Sequence, residues 1–160
     1  MIAVVDIDGV LADVRHRLHH VRARPKDWDA FFAAARADPP LQQGLDTVRA
    51  LAEAYEIVYL SGRPERCRDD TLAWFARHDL PRGRLLLRRA GDHRPARLVK
   101  VEALDQLSRR TRVGVFVDDD HLVLEAARDA GYDVLPATWM PTEEDAAEDL
   151  LWAQEVEGET

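Results

Sequence analysis

Apolar runs of strand length alternate with segments of helical spacing along almost the whole chain. The runs are IAVVDI (2–7), EIVYLSG (56–62), RLLLR (84–88), RVGVFVDDD (112–120) and YDVLPA (132–137). Most are rich in β-branched residues and bounded by Gly, Pro or charged residues, as buried strands are. Between them, GLDTVRALAEAY places Leu45, Val48, Leu51 and Ala52 at helical spacing. ERCRDDTLAWFARHDL predicts a helix with Leu72, Phe75 and Ala76 on one face, and ARLVKVEALDQLSRR one with Leu98, Val101, Leu104 and Leu107 in register. HLVLEAARDAG predicts a further helix with Gly131 as its C-cap. Strand and helix in alternation predict an α/β fold: a Rossmann-like parallel sheet with helices on both faces. Such sheets bind ligands at the carboxyl ends of their strands, near the topological switch point. Three predicted strands end in polar residues at that edge: Asp6 and Asp8, then Ser61-Gly62-Arg63, then Asp118-Asp119.

One segment breaks the alternation. Leu11 to Pro40 separates the first strand from its helix, and an ordinary crossover needs far less chain. Within it, PKDWDAFFAAARADPP predicts a short helix with Trp28, Phe31 and Phe32 as its buried side and Pro39-Pro40 as its stop. At the other end, TEEDAAEDLLWAQEVE opens on Thr142-x-x-Asp145, which resembles a capping box. A chain of 160 residues is the size of one domain. The expected organisation is a core over 1–141, carrying a small helical cap insert at about 12–40, followed by an acidic C-terminal helix or tail over 142–160.

The net charge of −8 is unevenly spread. Eight of the 30 acids lie in residues 142–160, which contain no Lys or Arg; this leaves 22 acids against all 22 Lys and Arg in residues 1–141. Within that balanced body, Arg15, Arg17, Arg22, Arg24 and Lys26 form a run with no acid between them. Local basic clusters bind polyanions even on an acidic protein, although solvated helix faces give the same composition. No apolar run approaches the ~20 residues needed to span a bilayer. Cys67 is the sole cysteine, so no internal disulfide forms, and there is no signal-peptide pattern at the N-terminus. The expected compartment is the cytoplasm.

Two carboxylates at a strand end, Asp6 and Asp8 before Gly9, can hold a hard cation such as Mg²⁺ through oxygen. One of such a pair can also serve as nucleophile and the other as acid and base. The same letters also end an ordinary surface strand in a turn. Ser61 with nearby backbone N–H groups can cradle a phosphoryl group, and Arg63 can fork onto a phosphate or pair with an acid. Asp118, Asp119 and Asp120 repel one another without a cation. Asp120 is placed to cap the next helix, which leaves Asp118 and Asp119 for a metal. Lys100 either snorkels from its helix or offsets charge at the site.

These four elements, in this order, resemble the haloacid dehalogenase superfamily of phosphotransferases. Asp6-Ile7-Asp8-Gly9-Val10 matches the first motif, with Val10 where Thr is commoner; Ser61 matches the second, Lys100 the third and Asp118-Asp119 the fourth. A closer likeness is to the 3′-phosphatase domain of polynucleotide kinase-phosphatases. It rests on Ser61-Gly62-Arg63, on Thr71 and Trp74 in the following helix, and on Gly91-Asp92-His93-Arg94 ahead of Lys100. Ala96 stands where that family carries an acid, and the chain has no kinase P-loop.

The resemblance implies roles. Asp6 is the nucleophile that forms an aspartyl-phosphate, Asp8 the acid and then the base, and Ser61 and Lys100 hold the phosphoryl group. Asp6, Asp118 and the Asp8 backbone carbonyl are the implied Mg²⁺ ligands, with Asp119 behind them. Arg15 or Arg17, with Gly62 and Arg63, are the implied substrate contacts. An insert of about 30 residues is too small to fold over the site as a full cap. An open site beside a basic run favours a bulky polyanion, so nucleic-acid 3′-phosphate ends are the leading expected substrate. Mononucleotides or other small phosphoesters are the alternative, and a non-catalytic phosphate- or nucleic-acid-binding module is a third reading.

Overall fold

A computed structural model describes residues 1–141 of the chain. The acidic segment 142–160, where sequence predicts a terminal helix, lies outside the described residues. Five strands form one sheet: β1 (Ile2–Val5), β2 (Glu56–Pro64), β3 (Gly83–Arg88), β4 (Val113–Asp118) and β5 (Val134–Pro136). All pair in parallel, in the order β3-β2-β1-β4-β5. The main helices are α3 (Gln42–Leu51), α4 (Arg68–Arg77), α5 (Ala96–Ser108) and α6 (His121–Asp129). The insert carries two short ones, α1 (His19–Arg22) and α2 (Trp28–Ala33), with 3₁₀ turns at Arg15–Arg17 and Ala34–Ala37.

Side chains alternate across a strand, and here the two sets feed separate cores. Ala3 and Val5 of β1 join Ile57, Tyr59 and Val117 under α3 and α4, where Leu45, Val48, Trp74 and Phe75 are buried. Ile2 and Val4 join Val58, Leu60 and Phe116 on the other face, under Leu104, Leu107, Val123 and Ala127 of α5 and α6. The insert has a third core of its own, built from Val14, Leu18, Val21, Phe31 and Phe32 with Cys67, and Trp28 packs partly buried against it. Among the described residues, no helix is long and apolar enough to cross a membrane.

Two helices bury part of the face their apolar spacing predicts, Phe75 in one and Leu104 and Leu107 in the other, but are turned so that other expected members lie outside. In α4 the buried residues are Thr71, Trp74 and Phe75, while Leu72 is 44% exposed. In α5 they are Ala96, Lys100, Leu104 and Leu107, while Leu98 is 47% exposed. Both rotations bring one polar side chain, Thr71 or Lys100, into the interior, where each has a bonding partner at the site.

The chain leaves β1 towards β2 and β3 on one side and returns to β4 and β5 on the other. The switch point therefore falls between β1 and β4, and Asp6 and Asp118 lie at the carboxyl ends of those two strands.

Candidate active site

The backbone sets the two carboxylates after β1 in different surroundings. Asp6 is tied to the sheet by its amide, which donates to the Val117 carbonyl at 2.9 Å. Beyond it the chain curls sharply: the Ile7 carbonyl accepts from the amides of Val10, Leu11 and Ala12 at 3.2, 2.8 and 3.0 Å. Gly9 takes φ +78° in that curl, and a Cβ there would lie 2.0 Å from Asp119 Oδ2. The glycine is required twice, by the left-handed backbone and by the carboxylate that packs onto it.

Asp6 faces Asp118, Asp119 and Lys100. Oxygens of the three aspartates all lie within 4.8 Å of one another. Lys100 Nζ donates to Asp118 Oδ2 at 2.6 Å and lies 3.2 Å from Asp6 Oδ2. Burial pushes the Asp6 carboxyl up to about 8, against the downward pull of Lys100. Burial, and then Asp118, hold Asp119 well above the usual carboxylate range. Lys100 is driven up by Asp118 and Asp6, which outweigh the cost of burying its charge. Three carboxylates sharing one lysine, Asp6 and Asp118 buried and Asp119 half-buried, are short of positive charge. Their hard oxygen donors and close spacing fit Mg²⁺. Asp119 belongs to this group, whereas the resemblance puts it behind the ligands, and the Asp8 carboxylate does not join it.

Asp8 is held elsewhere. Arg63 Nη2 donates to its Oδ1 at 2.6 Å and Nε donates at 3.1 Å; Arg17 Nη2 donates to the same oxygen at 2.9 Å. Burial alone would raise the Asp8 carboxyl, but the charges of Arg63 and Arg17 overcome it and hold the group at about 2. Arg63 also donates from Nη1 to Thr71 Oγ1 at 3.1 Å. Arg17 is fully buried, with Phe31 beneath its guanidinium at 4.3 Å. Neither arginine lies on the surface; both are inner parts of the site.

The other expected residues fall as follows. Ser61 is buried at the end of β2, and its hydroxyl accepts from the Arg63 amide at 3.1 Å. Gly62, also in β2, lies between them and is buried. Arg15 is exposed and folds back onto Asp13, with Nη2 2.6 Å from Oδ2. Asp120 caps α6, accepting from the amides of Leu122 and Val123 at 2.9 and 3.4 Å. Arg94 pairs at the surface with Asp92 and Glu102, at 2.9 and 2.6 Å. Ala96 is buried at the start of α5.

Sequence reading missed Asp38. In the sequence it sits in Asp38-Pro39-Pro40, where it reads as a helix stop, and no spacing links it to Arg17 or Arg63. In the structure its side chain is wholly buried against both arginines.

A parallel sheet with an aspartate cluster and a lysine at its switch point defines the haloacid dehalogenase-like fold. Solved structures agree. A haloacid dehalogenase-like hydrolase from Streptococcus pneumoniae matches at TM-score 0.59 and 15% identity, covering 96% of this chain and 90% of that one. A member from Bacteroides thetaiotaomicron, solved with magnesium and inorganic phosphate, matches at TM-score 0.54 and 12% identity, covering 89% and 96%. A chain of the Pnkp1/Rnl/Hen1 RNA repair complex matches at TM-score 0.69 and 20% identity, covering 84% of this chain but 41% of that one. The protein thus spans less than half of that RNA-repair chain. Residues 1–138 match the model of the polynucleotide kinase PNKP phosphatase domain, and the chain belongs to that family. No curated protein matches.

Proposed function

We propose that the protein is a Mg²⁺-dependent phosphatase that removes the 3′-phosphate from nucleic-acid ends by way of an aspartyl-phosphate. The observation that carries this reading is the division of labour after β1. Asp6 sits among the aspartates and Lys100, while Asp8, two residues on, sits among arginines. Identical side chains in such different surroundings suit different tasks.

In the first step an Asp6 oxygen attacks phosphorus as the bond to the sugar oxygen breaks. That oxygen leaves with a proton from Asp8. In the second step Asp8 takes a proton from water, whose oxygen attacks phosphorus and releases orthophosphate and free Asp6. In the arrangement described, Asp8 is ionised, the form needed for the second step. A phosphoryl dianion entering beside it raises its proton affinity for the first. Asp6, Asp118 and Asp119 would hold Mg²⁺, which supplies charge complementary to the phosphoryl oxygens when bound. Lys100 adds to that complement, and the Ser61 hydroxyl and nearby amides orient the group.

Family membership supports the substrate class, as does the structural neighbour from an RNA repair complex. The shortness of the insert, about 30 residues, supports it too, since a full cap needs more chain. Phosphate release from a 3′-phosphorylated oligonucleotide should exceed that from mononucleotides and should require Mg²⁺. Equal or faster turnover of mononucleotides removes the nucleic-acid-end reading and leaves a small-molecule phosphatase. No metal-dependent release from either substrate removes the enzyme reading itself.

A further inference from the structure

Asp38 closes a ring of charges around Asp8. Arg17 donates to it from Nε (Oδ1, 2.8 Å) and from Nη2 (Oδ2, 2.9 Å), and Arg63 Nη2 donates to Oδ2 at 3.1 Å. The same two Nη2 atoms bond Asp8 Oδ1, so each arginine bridges the two aspartates. Two guanidiniums and two carboxylates alternate, with no net charge. His16 Nε2 stands on the outer side of Asp38 Oδ1 at 2.6 Å. The Asp38 backbone is pinned as well: its carbonyl accepts from Trp74 Nε1 at 2.9 Å and its amide donates to the Ala35 carbonyl at 3.1 Å. Next to it, the Asp13 amide donates to the Pro39 carbonyl at 2.8 Å, which ties the insert to the loop after β1.

A counter-ion alone would not need this much fixing. Without Asp38, two guanidiniums would share a single carboxylate: on the insert side Arg17 would keep the Phe31 ring beneath it, but both arginines would lose the carboxylate that accepts from them. We infer that Asp38 is a positioning residue: it aims Arg17 and Arg63 so that the Asp8 carboxylate faces the oxygen leaving the phosphoryl group. The insert thereby supplies part of the acid–base machinery rather than a cover for the site. This rests on Asp8 acting as the acid and base proposed above.

The test compares leaving groups through kcat/KM, which reports the first step alone: there, misaiming the acid matters only where the leaving oxygen needs a proton, whereas the second step is common to both esters. Wild-type protein and Asp38→Asn, both with Mg²⁺, are assayed on a 3′-phosphorylated oligonucleotide and on p-nitrophenyl phosphate, whose phenolate departs unprotonated. Asp38→Asn should lose about 100-fold in kcat/KM on the oligonucleotide and less than about threefold on the aryl ester. Equal losses on both, or no loss, overturn the inference. If Asp38→Asn does not fold, Asp38→Glu keeps the charge and shifts it by one methylene; it should show the same split at about tenfold, and equal losses there overturn the inference too. A wild type inactive on both esters overturns the phosphatase reading and this inference with it. An active wild type whose variants show no split overturns the role of Asp38 alone.

Discussion

Arg63 and Asp8 are 55 positions apart in sequence, yet Nη2 of the arginine donates to the aspartate Oδ1 at 2.6 Å, with both side chains buried. Arg63 reaches Thr71 and Asp38 with its remaining donors. A lysine has the charge but not the fork, so Arg63→Lys keeps one contact and orphans the others. The variant should lose about 2–4 kcal/mol of stability, read from denaturant unfolding. Its kcat on a 3′-phosphorylated oligonucleotide should fall by about 100-fold. Wild-type stability and turnover in Arg63→Lys would show that the fork is not needed.

Gly9→Ala tests whether Asp119 belongs to the cation site. The substitution puts an L side chain at φ +78° and a Cβ 2.0 Å from Asp119 Oδ2. The left-handed backbone costs about 1–2 kcal/mol, and Asp119 has to move away from Asp6 and Asp118. Mg²⁺ affinity, followed as the concentration needed to raise Tm, should weaken at least about tenfold. Unchanged affinity would place Asp119 outside the set that matters.

These contacts mark what the sequence made legible. The sheet was readable because apolar runs of strand length alternate with helical spacing. Asp6 and Asp118 could be grouped in advance because strand ends converge at a switch point; Lys100, inside a helix, joined them only through the family resemblance. The inner faces of α4 and α5 were only partly readable from apolar spacing: Phe75, Leu104 and Leu107 were, Thr71 and Lys100 were not. Periodicity gives the pitch of a helix, but Thr71 and Lys100 set its rotation through bonds to Arg63 and Asp118. Asp38 could not be found at all, because its partners depend on how the insert folds back. Arg17 was expected to meet substrate; the fold buries it against Asp8 and Asp38.

The metal-free protein should have a stability profile shaped by opposed shifts. Asp6 titrates near 8 in the fold against an ordinary value of 3.8, and Asp119 is shifted the same way. Their contribution is fully present below the unfolded value and lost as pH rises from 3.8 towards about 8. Asp8, held at about 2, contributes above 3.8 and loses that contribution as pH falls through about 2. A cation must displace the protons on Asp6 and Asp119, so Mg²⁺ binds more tightly as pH rises, by up to about tenfold per pH unit for each proton released. At 10-fold excess over its binding constant at pH 8, Mg²⁺ should therefore raise Tm clearly, and the same concentration at pH 5 should raise it little. An equal rise at both would show that no protons leave on binding.

Asp6→Asn separates chemistry from folding. The change removes a buried carboxyl that resists ionisation, and Lys100 keeps its 2.6 Å contact to Asp118. In the absence of metal at pH 8, Tm should stay level or rise. Phosphate release should fall by at least about 10³-fold, since an amide cannot form the acyl phosphate. Appreciable turnover in a well-folded Asp6→Asn would remove Asp6 as nucleophile.

The same inactive variant allows substrate binding to be measured at equilibrium, and salt then reports how many phosphates meet the protein. Arg22 ends α1 and Arg24 follows it; both are exposed on the insert that supplies Arg17 to the site. If the insert tracks a single strand leading to the 3′ end, each phosphate contact contributes about 0.7 to the slope of log Kd against log salt. Arg22→Gln and Arg24→Gln together should then flatten that slope by about 1.4, while turnover of p-nitrophenyl phosphate in the otherwise wild-type double variant stays unchanged. An unchanged slope would mean that the strand leaves the site by another path, and that the basic run of the insert meets water instead of phosphate.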